Sequence, residues 1–170
     1  MRLLRLVALT LATVFATAAV AEAALYDIPR VLRAELQRIA PRTDVPIRLP
    51  RTINLDYDRN VFGAGSRGAG TYTFDVNATA ECGANACFLA QFSGEEGGEP
   101  AFRREVDLAG GRTGYYKPLT CGGSCSPPMI QWVQGGVLYS IQAKLGVSGR
   151  VKQRAAMVRA ANSAIRSRPR

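Results

Sequence analysis

Residues 129–145, MIQWVQGGVLYSIQAKL, constrain the fold of this chain more than any other stretch, because two runs with strand character meet there at a pair of glycines. A two-residue hairpin turn needs positive φ at both central positions, and Gly135-Gly136 supplies it. The same grammar recurs upstream. Residues 70–76 (GTYTFDV) alternate, residues 87–93 (CFLAQFS) form an apolar run, and the loop GEEGGEP separates them from residues 101–108. A turn at Gly110-Gly111 precedes residues 112–118. Short segments of this composition, punctuated by glycine, predict an antiparallel sheet of about six strands.

Helical patterns bracket that sheet. Asp27 is placed to cap a helix with Pro29 in its first turn, and Ile28, Val31, Leu32, Leu36 and Ile39 fall on one face before Pro41 ends it. Residues 45–50 read as a short extended piece between prolines, and residues 54–70, rich in glycine and charge, as a long loop. A closing helix is expected over residues 148–166, with Val151, Ala155, Val158, Asn162 and Ile165 as the stripe laid on the sheet. The predicted fold class is α+β: an antiparallel sheet with an N-terminal and a C-terminal helix packed on it.

The first residues, MRLLRLVALTLATVFATAAVAEAA, place Arg2 and Arg5 ahead of an uncharged apolar run that ends in small residues. That order is the order of a secretory signal, with cuts expected after Ala21 or, preferably, Ala23. The run is shorter than the roughly 20 apolar residues of a membrane span, so no transmembrane segment is expected after cleavage. The expected organisation is a signal peptide at residues 1–23, one exported domain at 24–166 and a basic tail at 167–170. The 147 residues beyond position 23 suffice for one domain that buries about two-thirds of its unfolded surface.

Cys82, Cys87, Cys121 and Cys125 all lie in the exported part, and a secreted or periplasmic location makes disulfides the default. Three pairings are open, and the local ones, 82 with 87 and 121 with 125, are favoured because GANA and GGS can bend tightly. A four-cysteine zinc site fits less well, since zinc knuckles prefer C-x2-C.

Much ordinary chemistry is missing. The chain has no histidine, hence neither the usual general base for a serine or cysteine nucleophile nor the commonest zinc ligand. Residues 63–68, GAGSRG, match the letters of a dinucleotide fingerprint without the preceding strand and following helix, and read better as a flexible loop. Asp56, Asp58 and Asn60 begin like a calcium loop, but Val61 stands in place of its glycine and Arg67 in place of its bidentate glutamate. Glu95, Glu96 and Glu99 could supply a carboxylate pair for glycan hydrolysis, against which stands their solvated, glycine-rich setting. Asn77-Ala78-Thr79 fits a glycosylation sequon. No catalytic residue, metal ligand or cofactor is assigned.

Charge carries the most functional weight. Residues 24–143 hold 12 basic and 12 acidic side chains, whereas residues 144–170 hold eight basic and none acidic. Arg150, Lys152, Arg154, Arg159 and Arg166 are the candidate anion-binding residues, with Lys152, Arg159 and Arg166 on one flank of the helix and Arg150 and Arg154 on the other. Such residues also solubilise an ordinary core-packed helix by laying their stems along it. Nucleic acid is the least favoured polyanion, because no aromatic stacking platform accompanies the basic residues.

From Pro128 onward the order is an extended apolar piece, Trp132, Gly135 and Gly136, Tyr139 in the next strand, then a helix ending Ala160-Ala161-Asn162-Ser163-Ala164-Ile165. This quarter of the chain resembles the closing hairpin and helix of exported bacterial domains of unknown function, some carried by membrane-anchored regulatory proteins. The resemblance implies an envelope-facing, non-catalytic domain and brings no catalytic residues with it. The expectation is therefore an exported binding or envelope-associated module whose partner is an anionic envelope surface or an envelope protein. The alternatives are a domain holding a lipid or small apolar ligand between sheet and helix, and, third, a carboxylate-based cell-wall hydrolase.

Overall fold

A computed structural model describes residues 24–170; the expected signal lies outside the described residues. Strand β1 (Leu25–Asp27) leads directly into helix α1 (Ile28–Val31) and then α2 (Arg33–Ile39). Asp27 caps α1, its Oδ1 accepting from the Arg30 amide at 3.0 Å, and Pro29 sits in the first turn. The expected single helix is thus two, broken at Leu32, yet Ile28, Leu32, Leu36 and Ile39 are all buried, as their spacing requires. Strand β2 (Thr52–Asn54) returns to pair with β1.

The remaining strands are β3 (Phe62–Gly68), β4 (Thr71–Asn77), β5 (Phe88–Glu96), β6 (Glu105–Leu108), β7 (Arg112–Lys117), the small hairpin β8 (Thr120–Cys121) and β9 (Cys125–Ser126), β10 (Met129–Gln134) and β11 (Val137–Ala143). Seven of them form one sheet in the order β3-β4-β5-β11-β10-β7-β6, every neighbour antiparallel. Gln134 faces Val137 across the β10–β11 hairpin, so Gly135 and Gly136, at φ 61° and 78°, form its two-residue turn. Helix α3 (Arg150–Arg166) closes the chain. The fold is α+β, with the helices packed on one face of the sheet.

The seventh strand corrects the sequence reading. Residues 62–68 were expected to be loop and instead form the edge strand β3, paired along its whole length with β4. Their glycines reflect crowding. A Cβ on Gly65 would stand 2.7 Å from Ile39 Cδ1, and one on Gly63 would stand 3.0 Å from both Leu32 Cδ2 and the Val31 carbonyl. The strand lacks side chains where the N-terminal helices press on it.

The buried face of α3 is also displaced from the expected stripe. Ala156, Met157, Ala160, Ala161, Ala164 and Ile165 are buried, whereas Val151 is 82% exposed and Ala155 is exposed as well. Alanines let the helix approach the sheet closely, and the volume comes from the sheet side: Trp132 stacks on Tyr139 with ring centroids 5.4 Å apart, both essentially fully buried. Trp132, Tyr139, Ile141 and Met157 fill the space between sheet and helix in a single core that continues through Phe74 and Phe92 to the N-terminal helices. The opposite face of the sheet is polar, with Thr73, Asp75, Gln91, Ser93, Ser140 and Gln142 alternating against the core residues.

Candidate functional site: an arginine cradle

The last turns of α3 face residues 49–51 and the start of α1. The Arg51 amide donates to Ser163 Oγ at 3.0 Å, and the Ile28 amide donates to the Arg51 carbonyl at 3.1 Å. These bonds tie helix, connecting segment and α1 into the walls of an open cavity of about 610 Å³. Its basic residues are Arg51, Arg159, Arg166 and Arg170. Arg159 and Arg166 stand seven residues apart, two turns along one helix face, with Ser163 between them.

Arg170 arrives by a different route. The last residues do not trail away from α3: the chain turns back, the Arg170 amide donating to the Ile47 carbonyl at 3.1 Å and the Ile47 amide to the Arg170 carbonyl at 3.2 Å. Arg48 holds that turn. Its Nη1 donates to the carbonyls of Ile165 and Ser167 at 3.0 and 3.1 Å, and its guanidinium lies 5.9 Å from the centroid of the Tyr139 ring. The Tyr139 hydroxyl in turn donates to the Pro46 carbonyl at 2.9 Å. Burial pushes the Tyr139 phenol above its ordinary pKa, and Arg48 pulls the other way.

Electrostatically the cradle is one-sided. Its single acidic side chain, Asp27, is engaged in capping α1. Among the described residues the ion pairs are Glu35 with Arg38 and Asp58 with Arg59, neither of which touches the cradle. The negative end of the α3 dipole offsets part of the repulsion at Arg166. It does nothing for Arg51, which comes from another segment. Four arginines line one opening without an ion-pair partner among the described side chains, and a guanidinium has the planar fork that suits bidentate contact with phosphate or carboxylate groups.

The candidate basic residues are therefore separated. Arg159 and Arg166 enter the cradle. Arg154 lies on the other flank, in a shallow depression with Val106, Asp107 and Val158. Arg150 and Lys152 are exposed in the first turn, and Lys152 stands about 10 Å along the axis from Arg159. Arg51, Arg170 and the positioning Arg48 escaped the sequence reading, because no local pattern marks residues brought together across more than a hundred positions of chain.

The cysteines are joined as Cys82–Cys87 and Cys121–Cys125. Glu95, Glu96 and Glu99 are exposed, and Glu95 and Glu96, adjacent at the end of β5, project from opposite faces of the strand. Asp56 and Asp58 are exposed too, and Asn77 of the sequon is only 7% exposed. Among the described residues no group of three or more Cys, Asp or Glu is placed to hold a metal ion, and no helix is long and apolar enough to cross a membrane. No family model matches the chain, and no curated protein or solved structure matches it at a significant level.

Proposed function

We propose that the protein is an exported, non-enzymatic envelope module that docks on an anionic envelope surface through the arginine cradle. The observation that carries this reading is the convergence of Arg51, Arg159, Arg166 and Arg170 on one cavity without ion-pair partners. The leader-like N-terminus, the paired cysteines and the resemblance of residues 128–165 to exported bacterial domains support an exported location. A lipid held between sheet and helix has less support, since Trp132, Tyr139 and Met157 occupy that interface.

Co-sedimentation with phosphatidylglycerol vesicles tests the proposal. A basic residue at an anionic surface is worth about 1 kcal/mol, so Arg159→Ala with Arg166→Ala should weaken binding by about thirtyfold. At about 0.15 M salt, where the Debye length is about 8 Å, Arg150→Ala with Lys152→Ala removes the same charge outside the cradle and should cost less than about threefold, because these charges lie beyond that length from the contact. Equal losses from both pairs would mean that a diffuse basic helix, not a cradle, does the binding. No binding to these vesicles at low salt would refute the proposal outright.

A further inference from the structure

The open face of the sheet carries a second, chemically different cavity. Asp75 on β4, Gln91 on β5 and Gln142 on β11 stand in one register row across three adjacent strands, and Gln91 Nε2 donates to Asp75 Oδ1 at 2.9 Å. Polar residues on an open sheet face are ordinary. Here, however, residues of both disulfide loops border the row and, with it, line an open cleft of about 430 Å³. That volume lies in the roughly 300–1,000 Å³ range of small-molecule sites.

The two loops are braced against each other and against the sheet. Asn85 Nδ2 donates to the Cys125 carbonyl at 2.9 Å, which bolts one disulfide loop to the other. Lys144 Nζ donates to the carbonyls of Asn85 and Ala86, fixing the first loop to the end of the sheet. The loops are largely exposed and contribute nothing to the core, so two disulfides and a cross-loop hydrogen bond serve the shape of the cleft. Preorganised walls of this kind lower the ordering cost of binding.

The lining defines the ligand. Apart from Asp75 the polar groups of the lining are neutral amides and hydroxyls; the nearest cations stand outside the lining, Lys117 Nζ 3.4 Å from Ser126 Oγ and Lys144 Nζ on the Asn85 and Ala86 carbonyls. A lone carboxylate is a poor cage for a hard divalent cation, which takes six or more oxygen ligands and favours several charged ones. Gln142 Nε2 has only long bonds of 3.4 Å to Ser126 Oγ and the Pro127 carbonyl, so its amide is nearly free to donate. Asp75 accepts, Gln91 and Gln142 both donate and accept, and neighbouring strands set them about 4.8 Å apart. Phe88 adds an aromatic wall. Hydroxyls that both donate and accept, spaced around a ring with apolar C–H faces, complement this arrangement.

We propose that the cleft between the disulfide loops and the β4–β5–β11 row binds a neutral carbohydrate of one or two sugar units, oriented by Asp75, Gln91 and Gln142. The site is independent of the arginine cradle and stands whether or not the cradle docks on a surface.

Titration of the full-length protein with N,N′-diacetylchitobiose and with cellobiose, followed through the side-chain amide NMR signals of Gln91, Gln142 and Asn85, tests it. At least one of the two sugars should give saturable shifts at these amides. Asp75→Asn, which preserves shape, should weaken that binding about tenfold or more. Cys82→Ser with Cys87→Ser should weaken it as well, provided far-UV circular dichroism shows the fold intact; if it does not, the Asp75 variant decides. Absence of saturable shifts with both sugars overturns the proposal. So do shifts produced by ethanolamine but by neither sugar, which would mark an amine site, and sugar shifts left unchanged by both Asp75→Asn and Gln142→Ala, which would place binding elsewhere.

Discussion

Replacing Arg48 by Met should destabilise the protein by about 3 kcal/mol, although the side chain is only half-buried and lines no catalytic feature. The guanidinium donates to the carbonyls of Ile165 and Ser167, the unsatisfied end of α3. Each hydrogen bond from a charged donor is worth about 1.5 kcal/mol at the low end suited to a half-buried site. Stacking on Tyr139 and the favourable position at a helix C-terminus add about 1 kcal/mol together. Against this, Arg48 Nε is buried without a partner, and relieving that returns about 1 kcal/mol. Methionine keeps the apolar stem in place, so the loss reports the guanidinium alone. For a domain of this size the change corresponds to a fall in Tm of about 10 °C. Urea unfolding at equilibrium measures it, and hydrogen exchange at the Ile47 and Arg170 amides gives a local readout, because the tail turn should open first. Arg48→Lys should recover only part of the loss, since an ammonium cannot reproduce the planar fork. A loss below about 0.5 kcal/mol, or unchanged protection at Ile47, would show that Arg48 does not hold the cradle together.

Three further outcomes follow from the packing and the sheet face. Gly94→Ala should cost about 1–3 kcal/mol by urea unfolding, because its Cβ would sit 2.5 Å from Tyr72 Cε1 and 3.1 Å from Val45 Cγ1. Reduction of both disulfides should cost at most about 2 kcal/mol each, as bridges that span five and four positions close little chain, and should leave the near-UV signal of buried Trp132 in place. Burial holds the Asp75 carboxyl above the ordinary value of 3.8, against the opposing hydrogen bond from Gln91. The folded state therefore favours the protonated form, and that stabilisation is complete below pH 3.8 and lost as pH rises through the raised pKa. Asp75→Asn cannot ionise, so the variant should match the wild type in acid and exceed it by up to about 0.5 kcal/mol at neutral pH in thermal unfolding.

What the chain discloses locally and what it conceals divide along a physical line. The β10–β11 hairpin, the cap at Asp27 and the burial of Ile28, Leu32, Leu36 and Ile39 are set by neighbours in sequence, and each is legible there. Strand β3 is not, because glycine reports a need for space without saying whether a turn or a packed helix creates that need; Ile39 against Gly65 settles it only in three dimensions. The face of α3 was misread for a related reason. Val151 outranks alanine in hydrophobicity, yet it is exposed, while the face laid on Trp132 and Tyr139 is built of four alanines with Met157 and Ile165. The cradle was half legible: Arg159 and Arg166 share a helix face by spacing, whereas Arg51 and Arg170 join them through an amide hydrogen bond to the Ser163 hydroxyl and backbone bonds at Ile47 that leave no mark in the sequence. In the same way the alternation of TYTFDV turns Asp75 away from the core, but nothing in that pattern reveals the loops that stand beside it.

The sheet itself separates the two cavities. The cradle lies in the helical layer, and the cleft opens on the opposite face, where Asp75, Gln91 and Gln142 point away from the core packed beneath α3. A surface gripped by Arg159 and Arg166 would therefore leave the cleft open on the side away from it, free to take a soluble or polymeric sugar. No side chain is shared between the two linings, and sites without shared partners couple by no more than about 0.5 kcal/mol. Asp75→Asn should then leave vesicle binding within about twofold of wild type, and the Arg159→Ala, Arg166→Ala pair should leave sugar binding within the same margin. A tenfold cross-effect in either direction would mean that the sheet transmits strain between its faces, and that the domain acts as a switch rather than as two independent grips.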